Sequence, residues 1–131
     1  RPVRLLNDAA MQALGSYRSG KMLFLGLGTG LGSAMIVDGR LEAMELGHLP
    51  CGHKGHSYEH FVGERARRRH GTRKWRREVW KVVAALRAAL EPDTVVVGGG
   101  NARRLKQVPP GVRVVDNSKA FIGGLRMWED S

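Results

Sequence analysis

Four glycines stand at every second position of the segment LGLGTGLGS: Gly26, Gly28, Gly30 and Gly32. Alternate residues of a strand share a face, so this run strips one face of side chains and lets a ligand or a second backbone come close. Thr29 adds a hydroxyl where Thr29-Gly30 reads as a turn. The segment matches neither common phosphate motif, because no Lys-Ser/Thr follows the last glycine and a strand, not a helix, comes next. It offers instead a hairpin tip whose backbone N–H groups can cradle phosphate oxygens. A glycine-rich hairpin that simply packs tightly fits these residues equally well. A second group, Gly98-Gly99-Gly100, follows Val95-Val96-Val97 and precedes Asn101. A buried strand, a flexible turn and a helix N-terminus are expected there, and helix N-termini attract anions. A strand-to-helix turn with positive φ needs one glycine or two; three in a row, which would let a nucleotide lie against the backbone, tilt the reading towards a ligand.

The other chemistry-bearing residues are ambiguous taken singly. Asn7 and Asp8 precede a short apolar stretch, where either caps a helix well. Glu45 and His48, in the motif ELGH, end a strand. Arg65, Arg67, Arg68, Arg69, Arg73, Lys74, Arg76 and Arg77 place eight cations within 13 residues, interleaved with Trp75. Such a run can contact the phosphates of nucleic acid, or serve simply as a solvated helix face.

The elements that must position these groups follow from spacing and punctuation. Residues 1–6 read as a strand end, followed by a helix AAMQALGSY and a loop bracketed by Gly15 and Gly20. Three strands are predicted at Met22–Leu27, Gly32–Val37 and Leu41–Glu45, with Asp38-Gly39 as a two-residue hairpin turn. Pro50–Ser57 reads as a loop and Tyr58–His70 as one basic helix. Thr72 is expected to cap a long helix, Arg73–Leu90. Its apolar stripe is Trp75, Val79, Val82, Val83, Leu86 and Leu90, and Pro92 stops it. Thr94–Val97 is a strand, Ala102–Lys106 a helix, Val112–Val115 a strand and Asn117–Trp128 a closing helix. A three-strand meander followed by helices and further strands is a mixed α/β layer.

The 131 residues fit one domain, and 42% hydrophobic content supports a core. Twenty-two Lys and Arg against 12 Asp and Glu give a net charge of +10, which favours polyanionic partners. A single cysteine, Cys51, excludes an intrachain disulfide and fits a reducing, cytoplasmic setting. No run reaches the roughly 18 apolar residues of a membrane span, and Arg1-Pro2-Val3-Arg4 does not open like a signal peptide. The chain begins without Met inside a predicted strand, so a fragment of a longer protein is expected.

Taken together, "LLNDAAMQALG", "LGLGTGLGSAMIVDG", "ELGH" and "VVVGGGN" resemble, in order and spacing, the ROK sugar kinases, above all their polyphosphate glucokinase-like branch. The resemblance runs from about residue 3 to residue 128. It implies a ribonuclease H-like C-terminal domain of the actin, Hsp70 and hexokinase superfamily, one half of a two-domain kinase. It implies phosphoryl transfer from ATP or polyphosphate to a hexose hydroxyl, with Mg²⁺ at the phosphates. By the same resemblance Asp8 is the general base, and Asn7, Glu45, His48 and Glu59 bind the sugar. Gly28, Thr29 and Gly30 form a phosphate loop, and Gly98, Gly99 and Gly100 lie beside the nucleotide.

Two departures stand out. Many ROK proteins carry a His/Cys zinc site after the ELGH-like motif. Here LPCGHKGHSYEHF offers Cys51, His53, His56 and His60 with different spacing, so a His-rich substrate loop is expected and zinc is not. The DxGGT-like first phosphate loop of the N-terminal domain is also absent from these residues. The expectation is therefore a fragment inactive by itself and prone to form a homodimer over its uncovered apolar surface. The polyphosphate branch gives the basic run a further reading, as a track for that linear polyanion. The alternative function is a non-catalytic basic module that binds polyanions or nucleic acid.

Overall fold

A computed structural model describes residues 8–50 and 56–115. Strands β1 (Lys21–Leu27), β2 (Leu31–Val37) and β3 (Arg40–Met44) form the expected meander. The tight turn between β2 and β3 uses Asp38 and Gly39, at φ 48° and 87°, the left-handed pair that matches strand twist. Strands β4 (Thr94–Gly98) and β5 (Val112–Val114) complete one sheet in the order β3-β2-β1-β4-β5. β1 pairs antiparallel with β2 and parallel with β4. This mixed α/β sheet with helices on both faces is the ribonuclease H-like arrangement.

Strand alternation divides the core in two. Leu23, Leu25 and Leu27 of β1, with Val95 and Val97 of β4, face one side. There they meet Trp75, Val79, Val82, Val83 and Leu86 of helix α4 (Thr72–Leu90), the stripe expected from its spacing. Met22, Phe24 and Val96 face the other side with Ala34 and Ile36, under Ala9 and Ala13 of helix α1 (Asp8–Ser16). Small residues let α1 settle close: Ala9 lies over Gly26 and Gly32, where a Cβ on Gly32 would stand 3.0 Å from the Ala9 methyl.

Several local expectations are corrected. Tyr58–His70 is not one helix but two, α2 (Tyr58–Val62) and α3 (Glu64–His70). They are broken at Gly63, whose missing side chain lets the chain run against the Thr29 carbonyl; a Cβ there would lie 2.9 Å from that oxygen. Thr72 does not cap α4; Gly71 does, and the Thr72 hydroxyl accepts from Arg67 Nη1 at 3.0 Å. Helix α4 ends at Leu90 with Glu91 in the left-handed region, before Pro92 is reached. Gly15 lies within α1, not in a loop. The helix expected over Ala102–Lys106 is a single 3₁₀ turn, Ala102–Arg104. With so short a turn, the helix-dipole rationale for anion binding at Gly98–Gly100 does not hold. The strand expected before Asn7 and the helix expected over Asn117–Trp128 lie outside the described residues. No helix among the described residues is long and apolar enough to cross a membrane.

Candidate functional site

The register of the sheet brings the two glycine loops together. Gly26 pairs with Gly32 on one side and with Gly98 on the other, so the hairpin tip and the Gly98–Gly100 turn leave the same sheet end side by side. That end is the carboxyl edge of the parallel pair β1 and β4, where the chain connects outward in both directions, the usual ligand position in open α/β sheets. A cleft of about 640 Å³ opens there. Ala9 and Gln12 of α1, the hairpin glycines, Glu45, Glu59, Gly99 and Gly100 contribute to its walls.

The glycines serve different ends. Gly30 makes room for the Glu59 carboxylate, which accepts the Leu31 N–H at 3.0 Å and so braces the hairpin tip against α2. Gly98 is buried against Phe24 and Gln12, outside the cleft wall. Gly99 has φ +91°, and a Cβ there would sit 2.4 Å from the Leu27 carbonyl oxygen. Its amide donates to Gln12 Oε1 at 3.0 Å, which ties the turn to α1. Gly28 and Gly100 are different. A Cβ at either would meet no protein atom within 4 Å, and neither has a positive φ. Both face the cleft, and nothing in the fold requires them to be glycine. Thr29 is exposed at the tip, and its carbonyl accepts the Glu64 N–H at 3.1 Å. The Gly28 N–H turns inward to the Gly30 carbonyl at 3.1 Å, so a phosphate cradle would draw on other amides of the loops.

The polar side chains follow from the same packing. Ser33 is buried; its hydroxyl donates to the Met44 carbonyl at 3.1 Å and accepts the Leu46 N–H at 3.0 Å. That fixes the turn from β3 into the 3₁₀ segment Leu46–His48 and sets Glu45 on the cleft wall. Glu45 and His48 are both largely exposed, with Glu45 Oε2 and His48 Nδ1 3.9 Å apart. His48 stands beside the cleft and does not line it. Ala9 lines the cleft, so Asp8, the first residue of α1, heads that helix next to it; the Asp8 side chain, like all of Asn7, lies outside the described residues. Cys51 and His53 lie outside them too, while His56 and His60 stack face to face with ring centroids 3.9 Å apart. His60 is held below the ordinary imidazole range, first by desolvation and then by the nearby His56, Arg69 and His70.

Sequence reasoning missed the side chains that hold the loops in place: Gln12, Ser33, Glu64 and Asn101. Glu64 Oε1 accepts from Asn101 Nδ2 at 2.8 Å, while both of its oxygens meet Arg67 at 2.7 Å. Asn101 in turn donates its backbone N–H to Leu27 at 2.9 Å and accepts from Arg104 Nε. This network links α3 to both glycine loops. Hydrogen bonds from Arg67 and Asn101 hold the Glu64 carboxyl well below the usual carboxylate range, against a smaller opposing effect of desolvation. The same pair raises Arg67. Nothing in local sequence announces such partners; polar side chains of these types merely allow them.

Fold and cleft together define a ribonuclease H-like domain with an open cleft at the carboxyl edge of its sheet. Sequence comparison finds a polyphosphate glucokinase of Mycobacterium leprae (strain TN) 33% identical over 110 residues, 78% of this chain and 34% of that protein. Among solved structures, the inorganic polyphosphate/ATP-glucomannokinase of Arthrobacter sp. strain KM superposes with a TM-score of 0.79 at 29% identity, covering all of this chain and 58% of that one. A ROK family glucokinase from Streptomyces griseus, in complex with glucose and AMPPNP, gives 0.76 at 19% identity, over 99% of this chain and 69% of that one. No protein-family model matches the chain. The chain is thus a homologue of polyphosphate glucokinases with the fold of the ROK sugar kinases, and it spans about a third of the length of the mycobacterial relative.

Two outcomes follow. Gly28→Ala and Gly100→Ala are expected to leave thermal stability within about 0.5 kcal/mol of wild type. Gly99→Ala should cost more than about 1 kcal/mol through its positive φ and its clash with Leu27. Equal losses at all three positions would contradict the distinction between open and packed glycines. For Glu64, a lowered folded pKa means that its contribution is complete above the ordinary carboxylate range and fades as pH falls below it towards the folded value. Urea denaturation should therefore show Glu64→Gln less stable than wild type at pH 7, with the gap narrowing by pH 3. A gap independent of pH would show that the carboxylate charge is not what holds the network.

Proposed function

We propose that this chain is the portion of a glucokinase-type enzyme that carries the general base and most of the sugar contacts. The reaction is phosphoryl transfer from ATP or polyphosphate to a hexose hydroxyl. The observation that carries this reading is the pair of glycines, Gly28 and Gly100, bare without structural need on facing loops of one cleft that also holds Glu45 and Glu59. Phosphoryl transfer asks chiefly for positioning and charge stabilisation, with one carboxylate to orient and deprotonate the attacking hydroxyl. In this reading Asp8 is that carboxylate, and Asn7, Glu45, His48 and Glu59 hold sugar hydroxyls, since each carboxylate oxygen can accept from adjacent ones. Glu59 has one oxygen committed to the Leu31 N–H, which leaves the other to face a ligand. Gly28-Thr29-Gly30 approaches the donor phosphates and Gly98-Gly99-Gly100 the nucleotide.

Mg²⁺ fits this arrangement as a companion of the donor. Among the described residues no group of three or more His, Cys, Asp or Glu is placed to hold a metal. Mg²⁺ is ordinarily bound through substrate phosphates, waters and one or two carboxylates, without a cage. When bound it would neutralise charge on the phosphates. The sheet end described here forms one wall of a cleft, and the portion of the relatives that this chain does not span would supply the facing wall. The domain is then half of a two-domain kinase, working in the cytoplasm, and its homodimerisation belongs to the same reading.

The isolated chain is expected to show no glucose phosphorylation above background with either donor, because half a constellation leaves the donor unpositioned. In a complete kinase carrying these residues, Asp8→Asn should lower kcat by about 10²- to 10⁴-fold while glucose affinity stays nearly constant. Glu45→Gln should mainly raise KM. Steady-state kinetics with the reverse pattern, Asp8→Asn nearly silent and Glu45→Gln abolishing kcat, would mean that the base is assigned wrongly.

A further inference from the structure

Helix α1 packs on the sheet through alanines, yet it also buries Gln12, at 6% exposure, in the wall of the cleft. The Gly99 N–H fixes which way the side-chain amide points, because only Oε1 can accept it. The Nε2 hydrogens are thereby turned away from Gly99, and they donate to no described residue. No buried side-chain nitrogen or oxygen among the described residues lacks a partner, so Nε2 is not sealed in the core. Its outlet is the cleft that Gln12 lines. A buried amide with one end committed and the other without a task in the fold is a donor held ready for a ligand. The loops around it are short of donors. The N–H groups of Gly28, Leu31, Gly99 and Asn101 are all spent inside the protein, on Gly30, Glu59, Gln12 and Leu27.

We propose that Gln12 is a donor-binding residue, whose Nε2 donates a hydrogen bond to a non-bridging phosphate oxygen of the phosphoryl donor. This role rests on the kinase reading. The sheet order separates Gln12 from the carboxylates assigned to the sugar. Glu45 follows β3, and Glu59 braces Leu31 at the start of β2, whereas Gln12 lies at the end of β4, where a Cβ on Gly98 would stand 2.8 Å from its Oε1. Between the two groups lie Gly26 and Gly28 at the end of β1. The backbone places Asp8 one turn before Gln12 on the same face of α1, which sets Gln12 near the reacting end of the donor. Phosphate oxygens are strong acceptors and suit a fixed N–H. The side chain also passes on what the Gly99 turn has spent, because a hydrogen bond accepted at the amide oxygen polarises the N–H at its other end. ATP and polyphosphate present the same oxygens, so the contact serves either one.

The test is titration of the 131-residue chain with AMPPNP and with tripolyphosphate, followed by calorimetry and by NMR of side-chain amides. Buffer free of divalent metal keeps a cation from bridging phosphate to a carboxylate introduced at position 12. In wild type the Nε2 hydrogens of Gln12 should shift along the calorimetric binding curve, a readout that needs no variant. Gln12→Glu keeps an oxygen for the Gly99 N–H and removes only the donor. It should lose at least about tenfold in affinity for both ligands, while its Gly99 amide stays as protected from hydrogen exchange as in wild type. Gln12→Met removes both ends, and should lose that protection together with at least about tenfold in affinity. Wild-type affinity in Gln12→Glu would leave Gln12 as a brace for Gly99 alone and overturn the proposal. So would Gln12 side-chain signals that stay still while either ligand binds. A loss confined to AMPPNP would put the contact on the nucleoside and overturn it as well. These three results leave the kinase reading in place. A wild-type chain that binds neither ligand overturns that reading, and this role falls with it.

Discussion

Gly99 passes so close to β1 that its missing side chain is a condition of the sheet end. A Cβ there would lie 2.4 Å from the Leu27 carbonyl oxygen and 2.6 Å from its nitrogen. That contact, together with the Asn101 N–H donated to Leu27, fastens the turn after β4 onto the last residue of β1. Everything at the cleft inherits its position from this junction. On one side the parallel register carries Gly26 against Gly98; on the other, the antiparallel register carries it against Gly32 and sends the hairpin tip upward. Two loops separated by some 70 residues become one surface because three glycines meet on adjacent strands.

The polar interactions around the junction are few and specific, while the apolar core is broad. Leu, Val and Trp side chains between sheet and α4 supply the general driving force, but burial is non-directional and does not by itself orient a loop. Gln12, Ser33, Glu59 and Glu64 each bind a backbone amide or side chain in another element. A buried or half-buried polar group is costly when it loses its partner, so these bonds hold the loops in one arrangement. Such preorganisation is what positioning catalysis requires.

Much of this was legible in the sequence. The meander was visible because short apolar runs are punctuated by Thr29-Gly30 and by Asp38-Gly39, a second turn that needs the left-handed residues the sequence provides. The stripe on α4 was visible because burial on one side imposes a helical period. The break between α2 and α3 was not, since Gly63 looks like any glycine until the Thr29 carbonyl arrives beside it from more than 30 residues away. The glycines of the cleft were legible as a group but not individually. Packing explains Gly26, Gly30, Gly32, Gly98 and Gly99, whereas Gly28 and Gly100 stay open, and only three-dimensional neighbours separate the two kinds. The short turn after Gly100 was over-read as a helix because Ala102–Lys106 has helix-compatible composition; the chain instead leaves after three residues to lie across α4.

The central claim is that the two glycine loops form a single ligand surface. Amide NMR of the chain titrated with AMPPNP tests it directly. Gly28, Thr29, Gly30 and Gly100 should shift together along one binding curve, while Gly39 and Gly71, equally unobstructed but explained by their positive φ, should not move. Shifts confined to one loop, or distinct curves for the two loops, would contradict the account.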